Sequence, residues 1–392
     1  MSLAEALFWT LLALVAYAYV GYPLLLWMWS RGANARPMVV DPHVDPSALP
    51  RVSIVVPSYN EGDTLHRRLE NLRSLNYPPE KIEIVAGFDG ADMPDMPDQD
   101  PRVRFVIAPE RVGKTALLNM MVGPSQADLV VFTDANAIYE PEALRYLVAP
   151  FVDPRVGCVT GELVYSNRQA DGVRSGEGLY WRLENAIKEM ESRFGGTLVA
   201  TGAIYAMRRS LCRPLPAGIS DDSTNPLIAL SEGYAVVVEK RALAVERAAT
   251  EMREEFNRKV RMVTRQLGAH AYVRFFLWPF RPVLALRLAS HKLLRWLVPF
   301  WLLGALAANL TLLARPLYQA TLWMAVALMA TFALGAAALR RRVALPAPIR
   351  LVVYFGTINA AAFIGVLDFL RGRQRAVWTI SASTRQHEPP PV

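Results

Sequence analysis

Two short motifs in this sequence carry the residue types and spacing for chemistry on a phosphorylated substrate. In "LVVFTDANAIY", residues 129–139, an apolar run ends in Asp134 and Asn136. Oxygens at that spacing can face one hard divalent cation, Mg²⁺ or Mn²⁺, which bridges a diphosphate and stabilises its departure as a leaving group. Because an amide supplies oxygen without charge, the pair predicts a weaker metal site than two aspartates would form.

The second motif is the pair of adjacent acids in "GISDDSTNPLIAL", residues 218–230, and both acids are catalytic candidates. A carboxylate beside a reacting hydroxyl can act as a general base by taking its proton. Adjacent side chains diverge in direction, so we expect Asp222 to be the base and Asp221 to cap the helix that follows. The alternative is that both are solvated loop acids.

A third segment, "APERVGKT" at residues 108–115, nearly matches the phosphate-cradling loop G-x-x-x-x-G-K-[ST] of nucleoside triphosphatases. An apolar strand precedes it and a helix follows it, as that loop requires. Ala108 stands where a glycine would make the turn. A membrane-anchored P-loop NTPase, with Lys114 on the phosphates, is therefore a weaker alternative.

Four apolar segments that alternate with helical patterns must position these residues. The segments begin near residues 52, 81, 102 and 129. Such alternation predicts an α/β domain with a doubly wound, Rossmann-like, mostly parallel sheet. Ligands of such sheets bind beyond the carboxyl ends of the strands, so Asp134 should lie at a ligand-binding edge. Residues 57–61, Asp89 and Lys114 fall at the same edge. After residue 155 the alternation is less regular.

Apolar residues outside this domain predict membrane helices. The 392 residues are 53% hydrophobic, and the mean hydropathy of +0.19 is high for a wholly soluble enzyme. The excess lies at 3–28 and at about 294–313, 318–339 and 350–370, each near the length that crosses a hydrocarbon core of about 30 Å. The first segment begins with an acid, Glu5, and is longer than the core of a signal peptide, so we predict a retained anchor.

The net charge of +8 comes with arginine and lysine clusters beside the apolar segments. That placement fits the positive-inside rule and anionic lipid head groups better than a nucleic-acid face. Cys158 and Cys212 lie far apart, which gives neither a metal-binding spacing nor a disulfide framework. We expect membrane lipids as partners and no nucleic acid.

The chain is therefore expected to divide into six parts. Residues 254–283 mix basic and aromatic residues and predict amphipathic helices at the membrane surface. The parts are an anchor at 1–30, a Pro-rich linker at 31–50, the α/β domain at 51–250, amphipathic interface helices at 251–282, about three transmembrane helices at 283–372, and a tail at 373–392.

As an ordered set, the motifs resemble the membrane-integrated family 2 glycosyltransferases of the GT-A fold. That group includes the synthases of hyaluronan, cellulose and poly-N-acetylglucosamine. The resemblance covers nearly the whole chain. The matching pieces are "VVPSYNEG" at 55–62, "FDG" at 88–90, "GKTALLN" at 113–119, "FTDAN" at 132–136, "ATGAIYAMRR" at 200–209, "SDD" at 220–222 and the basic helix after 254.

The resemblance implies a role for each matching residue. The nucleobase and ribose would be held by Pro57, Tyr59, Glu61 and Asp89. Lys114 would meet the donor, and Asp134, with Asn136, would meet the metal and diphosphate. Gly202 would lie in the acceptor-side turn, and Asp222 would be the base.

Two departures from the family pattern affect the acceptor side. The Gln-x-x-Arg-Trp element of the family maps to Arg258, Arg261 and Met262, so the tryptophan that stacks on the acceptor sugar is missing. "VWTISASTR" at 377–385 resembles the gating segment of these synthases through Trp378 and Arg385. That segment should be cytosolic, whereas three spans after a cytosolic domain would place it outside, so the side of the C-terminus stays open.

The expected activity is transfer of a sugar from a nucleoside-diphosphate sugar, in the first place a UDP-sugar, to a glycan acceptor. The transfer would invert the anomeric centre and serve exopolysaccharide synthesis. The enzyme would be a multi-pass protein of the inner (plasma) membrane with a cytosolic catalytic domain. The missing tryptophan favours an alternative, transfer of a single sugar to a lipid such as a polyprenyl phosphate or a glycolipid. No motif names the sugar.

Overall fold

An eight-stranded sheet forms the centre of the α/β part of the chain. The computed structural model describes residues 1–32, 46–90, 100–166, 174–247, 252–277, 281–341 and 343–373. The strands are β1 Val52–Ser58, β2 Ile82–Asp89, β3 Val103–Ala108, β4 Leu129–Phe132, β5 Ile138–Tyr139, β6 Val156–Tyr165, β7 Tyr205–Arg208 and β8 Ala235–Glu246.

The first half of the sheet is parallel, as the sequence predicts. In the order β3-β2-β1-β4-β7-β6-β8-β5, strands β3, β2, β1 and β4 all run in the same direction. Every residue of β1 is buried, which is the pattern of a strand covered by helices on both faces. The carboxyl ends of β1, β2 and β4 therefore meet at one edge.

The second half of the sheet is mixed, so the sheet as a whole is mostly but not wholly parallel. Strand β7 is antiparallel to both β4 and β6, β6 is parallel to β8, and β5 is antiparallel to β8. This half begins where the sequence loses its regular alternation of strands and helices.

Helices cover both faces of the sheet and enclose two apolar cores. Helices α3 and α5 pack on one face, and α4, α7, α8 and α9 pack on the other. Gly87 in β2 permits the close approach of α4, because an added Cβ would lie 2.4 Å from the sulfur of Met121. The helices of this part are α3 Gly62–Arg73, α4 Lys114–Val122, α5 Ala143–Val148, α6 Arg174–Ser192, α7 Asp221–Ser231, α8 Met252–Leu277 and α9 Pro282–Leu288, with 3₁₀ turns at Pro46–Ala48, Pro79–Lys81, Ala149–Val152 and Arg209–Leu211.

Four helical segments of the described chain are long and apolar enough to cross a membrane, in agreement with the four apolar segments of the sequence. They are Leu3–Arg31, Pro282–Leu310, Pro316–Arg340 and Ala347–Leu370. The second begins earlier than the hydropathy pattern suggests and includes charged residues. The first comprises α1 Leu3–Ala16, a π-helical turn Tyr17–Gly21 and α2 Tyr22–Gly32; the second comprises α9, a π-helical turn Ala289–Leu293 and α10 Leu294–Leu310; the others are α11 Pro316–Arg340 and α12 Ala347–Leu370.

Helix α8 joins the α/β part of the chain to the apolar helices. It packs against α7 on one side and α12 on the other, and residues 263–269 are buried. Thr264 donates a hydrogen bond from Oγ1 to the carbonyl of Gly365, at 3.1 Å. A Cβ at Gly365 would lie 2.8 Å from Cβ of Val263, so the two helices touch closely there. The proposed gating residues Trp378 and Arg385 lie outside the described residues.

Candidate active site

One cavity of about 410 Å³ opens between the carboxyl edge of the sheet, helices α6 to α8 and the apolar helices. It gathers residues that the sequence singles out from positions 57 to 261. The predicted residues that line it are Pro57, Glu61, Lys114, Asp134, Asn136, Gly202, Asp221, Asp222, Arg258 and Arg261.

Lys114 and Asp134 form an ion pair in this cavity. Lys114 is the first residue of α4, and its Nζ lies 2.7 Å from Oδ1 of Asp134 and 3.8 Å from Oδ1 of Asp221. Burial lowers the pKa of Lys114, but the two carboxylates outweigh it and hold the pKa above its usual range. The amine is therefore a fixed positive charge at the end of β4.

Asp89 positions the loop that precedes Lys114. Its Oδ1 accepts hydrogen bonds from the backbone N–H groups of Val112, at 2.7 Å, and Gly113, at 3.0 Å. These amides are thus not available to cradle a phosphate, which argues against the P-loop interpretation. Oδ2 of Asp89 is buried and makes no hydrogen bond within the described part of the chain, so it can accept one from a ligand.

Tyr59 and Arg111 stack beside the cavity. The guanidinium carbon of Arg111 lies 3.6 Å from the centre of the Tyr59 ring, a cation–π distance. Gly90, with φ of 121°, turns the chain beneath Arg111 directly after Asp89. Neither Tyr59 nor Asp89 is among the residues that line the cavity itself. Arg111 lies within the segment at 108–115 but at one of its variable positions, so the sequence did not indicate it.

The two adjacent acids point in different directions, as expected. Asp221 accepts a hydrogen bond on Oδ2 from the hydroxyl of Tyr205, at 2.9 Å. Asp222 accepts on Oδ1 from the Ser220 hydroxyl, while its Oδ2 would lie 3.2 Å from a Cβ at Gly202. The expectation that Asp221 caps the helix is wrong. The N-cap residue is Ser220, and the carboxylate of Asp221 instead accepts a hydrogen bond from the hydroxyl of Tyr205 in β7.

Burial and the neighbouring charge of Asp221 raise the pKa of Asp222, while the Ser220 hydroxyl and Lys114 oppose them. A carboxylate whose pKa moves towards neutrality accepts a proton more readily at physiological pH. The buried Asp222 carboxylate can therefore accept a proton from a group beside it.

Glu246, at the end of β8, is a further acid in the cavity, and the sequence analysis missed it. Burial and then the charge of Asp134 raise its pKa to about 8, so the carboxyl is mostly protonated at neutral pH. Its Oε1 is buried and has no hydrogen-bond partner within the described residues. Glu246 ends an alternating strand and belongs to no motif that could have indicated it.

Helix α8 carries the basic residues that the family resemblance assigns to the acceptor side. Arg258 is bound by Glu255, with Nε 2.7 Å from Oε2, and Met262 lines the cavity where the family resemblance places a tryptophan. Burial, followed by the nearby charge of Arg265, lowers the pKa of Arg261. Arg265, which the sequence did not indicate, ties α8 to the loop before α7 through the carbonyl of Ile219, at 3.1 Å.

The end of the cavity that faces the apolar helices carries a second group of charges. Three cations, Lys188 of α6 with Lys292 and Arg295 of the second apolar segment, are called the basic cluster below. Glu184 of α6 pairs with Lys292, at 2.8 Å, and with Arg295. Ionisable residues inside an apolar segment are a signal of function that the sequence already carried.

The loop after β4 has a donor set for a cation that is shared with a substrate. Asp134 and Asn136 both line the cavity, and no three His, Cys, Asp or Glu side chains gather as a metal site among the residues that the structure describes. One carboxylate with one amide oxygen suits Mg²⁺ or a similar hard ion that takes its remaining ligands from phosphate and water. The residues therefore fit a divalent cation bridging to a diphosphate.

Comparisons with known proteins agree with this arrangement. Residues 53–215 match the family model described as glycosyl transferase family 2. An N-acetylglucosaminyltransferase of Rhizobium meliloti (strain 1021) is 25% identical over 244 residues, which are 57% of this chain and 57% of that protein. An N-acetylglucosaminyltransferase of Mesorhizobium japonicum is 30% identical over 170 residues, 41% of this chain and 40% of that protein. The chain thus spans about half the length of the curated relatives that it matches.

A solved structure resembles the chain over most of its length. It is the mannosyltransferase PcManGT from Pyrobaculum calidifontis in complex with GDP-Man and Mn²⁺. The TM-score is 0.70 at 24% identity, over 95% of this chain and 100% of that one. The likeness shows that the sheet and its helices form a GT-A fold.

Proposed function

We propose that this chain, a family 2 glycosyltransferase of the GT-A fold, moves a sugar from a nucleoside-diphosphate sugar onto an acceptor hydroxyl. One observation carries the proposal. The Lys114–Asp134 pair and the Asp222 carboxylate line the same cavity, one suited to an anionic leaving group and the other to a proton.

The donor would occupy the edge formed by β1, β2 and β4. Oδ2 of Asp89 and the Tyr59 ring would meet the ribose and nucleobase beside the cavity. Lys114 would move from Asp134 towards the diphosphate, whose charge grows as the bond to the sugar breaks. Asp134 and Asn136 would hold a divalent cation, which neutralises the same charge when it is bound.

The acceptor would enter beside Gly202 and α8. Oδ2 of Asp222 would take the proton of the acceptor hydroxyl while the hydroxyl oxygen forms a bond to the anomeric carbon. The electrons of the broken bond leave with the nucleoside diphosphate. Direct displacement in one step inverts the configuration at the anomeric carbon.

The type of acceptor, the membrane and the orientation of the protein in it are proposed from weaker observations. The N-acetylglucosaminyltransferase relatives support transfer of an N-acetylglucosaminyl group. A glycan acceptor, a UDP-sugar donor and a role in exopolysaccharide synthesis are proposed from the family resemblance of the motifs. The four apolar segments support a multi-pass membrane protein. A location in the inner membrane with the catalytic domain in the cytosol is part of the proposal and follows the family resemblance. Labelling of single cysteines placed on the catalytic domain, in intact and opened cells, tests that orientation.

A second candidate is transfer of one sugar to a lipid. It is favoured by Met262, which lines the cavity where a stacking tryptophan is missing, and by the cavity's contact with Trp296 of an apolar segment. Product size separates the two candidates, because a polymerase gives a ladder of long glycans and a lipid glycosyltransferase gives one lipid-soluble product.

The decisive assay is release of nucleoside diphosphate by the purified protein in detergent or nanodiscs. It is run with a panel of common nucleotide sugars, with Mg²⁺, with Mn²⁺ and with a chelator. We expect cation-dependent release from one donor. If no donor releases its diphosphate under any condition, the proposed function is wrong.

A further inference from the structure

The membrane-facing end of the cavity combines positive charge with an apolar lining. The basic cluster lies there together with residues of three separate apolar segments. This is an amphiphilic surface that continues from the acceptor side of the proposed catalytic site. The residues that accompany the cluster are Tyr19, Trp296, Ile358 and Ala362.

The three cations share one directly paired carboxylate. Glu184 serves both Lys292 and Arg295, whereas Lys188 donates to a neutral oxygen, Oγ1 of Thr201, at 3.2 Å. Within the described ranges the Lys188 ammonium forms no ion pair, although only 8% of the residue is exposed. Asp222 and Glu191 act on Lys188 only from beyond ion-pair distance, and buried charge is unfavourable unless it is compensated.

The nearby acid on the same helix is bound by other groups. Glu191 is held by His291, with Oε1 2.8 Å from Nδ1, and by the hydroxyl of Tyr22, also at 2.8 Å. Burial and the charge of Lys292 lower the pKa of Lys188 to about 8, against the opposing effect of Glu184, Asp222 and Glu191. An anion in contact with this amine would raise its pKa again and satisfy its remaining donors.

The position of the basic cluster indicates which kind of molecule would carry this anion. Lys188 contacts Thr201, whose neighbour Gly202 faces Oδ2 of Asp222. A phosphate at Lys188 would therefore lie beside the acceptor site, and the apolar lining continues from it towards the membrane helices. A neutral soluble glycan would use neither the charge nor the apolar surface.

We infer that the acceptor is a sugar carried on a phosphate-bearing lipid, with its phosphate at the basic cluster and its apolar chain against the membrane helices. The inference rests on the proposed function, because it places the acceptor hydroxyl at Asp222. It names a lipid-linked sugar as the substrate class, and both a growing glycan and a single sugar are compatible with such a carrier.

Three synthetic acceptors with the same sugar test this inference. They are the sugar joined to dodecyl phosphate, the neutral dodecyl glycoside, and the free sugar 1-phosphate. With wild-type protein in nanodiscs, we expect kcat/KM from diphosphate release to be at least about tenfold higher for the dodecyl phosphate compound than for either of the others, as expected for charge-assisted hydrogen bonds to phosphate. Equal use of the neutral glycoside, or of a soluble neutral glycan, would overturn the inference. Equal use of the free 1-phosphate would show an anion site without a lipid site and would overturn it too.

Variants of Lys188 show whether the cluster is responsible. Lys188→Met should lower the preference for the phosphate compound over the glycoside at least about tenfold, and Lys188→Arg should retain most of it. Lys240→Met is the matched control, because Lys240 is half-exposed on β8 and pairs with Glu189 outside the cavity. If Lys188→Met and Lys240→Met show the same preference as the wild type, the inference is wrong.

Binding measured without turnover separates this inference from the proposed function. Dodecyl phosphate should raise the thermal midpoint of wild-type protein more than dodecyl maltoside or inorganic phosphate does, and the difference should disappear in Lys188→Met. A larger thermal shift with dodecyl phosphate but no diphosphate release from any donor would support the anion site and refute the proposed transfer reaction. Equal thermal shifts with all three probes would refute the anion site itself.

Discussion

Replacing Asp134 with alanine tests whether this carboxylate acts in catalysis or only in folding. The change removes the proposed cation ligand and also the nearest partner of Lys114. We expect turnover to fall about 10²-fold or more, as is typical when a metal ligand or a leaving-group stabiliser is lost.

The effect on stability should be much smaller. The Asp134 side chain is 38% exposed, and Lys114 keeps Asp221 at 3.8 Å. A partly solvated ion pair contributes about 1 kcal/mol or less to the free energy of unfolding. For a domain of this size, that corresponds to a thermal midpoint lower by about 2–4 °C.

Asn136→Asp is the matched partner of this variant. It adds a charge beside Asp134 without changing the size of the side chain, so we expect it to remain active and to need less divalent cation for half-maximal rate. Diphosphate release at graded Mn²⁺ concentrations and the thermal midpoint are measured on the same preparations. Normal turnover per folded molecule in Asp134→Ala would refute the donor-site reasoning, and a higher cation requirement in Asn136→Asp would refute the ligand assignment.

Three further changes address other parts of the site. Asp222→Asn should lower kcat by about 10²–10⁴-fold, as expected for loss of a general base, while the affinity for nucleoside diphosphate, measured by calorimetry, is retained. Lys114→Met should weaken the affinity for nucleoside diphosphate about tenfold or more, because a charged hydrogen bond is lost. Wild-type protein should release no phosphate from ATP, as expected if the chain is not a P-loop NTPase. Glu246 is protonated below its pKa of about 8 and becomes a carboxylate above it. Because the carboxylate repels a diphosphate in the same cavity, the affinity of wild-type protein for nucleoside diphosphate without added cation should fall as the pH rises through 8. Glu246→Gln should remove that fall, and an unchanged profile would contradict the assigned protonation.

The parallel half of the sheet and its ligand edge were predictable because they depend on local signals. Apolar runs that end in polar residues mark β1, β2 and β4, and the rule that ligands bind beyond the carboxyl ends of parallel strands brings distant residues together. This rule places Lys114 and Asp134 at one edge, and in the structure Nζ of Lys114 lies 2.7 Å from Oδ1 of Asp134.

The remaining contacts were not predictable because they join elements with no shared periodicity. Glu184 and Lys292 are 108 positions apart, and their pairing depends on how α6 docks against an apolar segment. The expected capping role of Asp221 failed for a similar reason, since the competing hydroxyl of Tyr205 comes from β7. A pattern along the chain does not show which of two possible partners lies nearer in space.

The close contact of α8 with α12 connects the cavity to the thickness of the bilayer. Helix α12 has 24 residues and is therefore about 36 Å long, whereas a hydrocarbon core measures about 30 Å, and a spanning helix meets such a mismatch by tilting, kinking or locally thickening the bilayer. Because α12 contacts α8 closely at Gly365 and Val263, we expect a change of tilt to move α8, and with it the arginines that line the cavity and fix the loop before Asp222. We therefore expect the rate of transfer to depend on the chain length of the lipids in which it is measured.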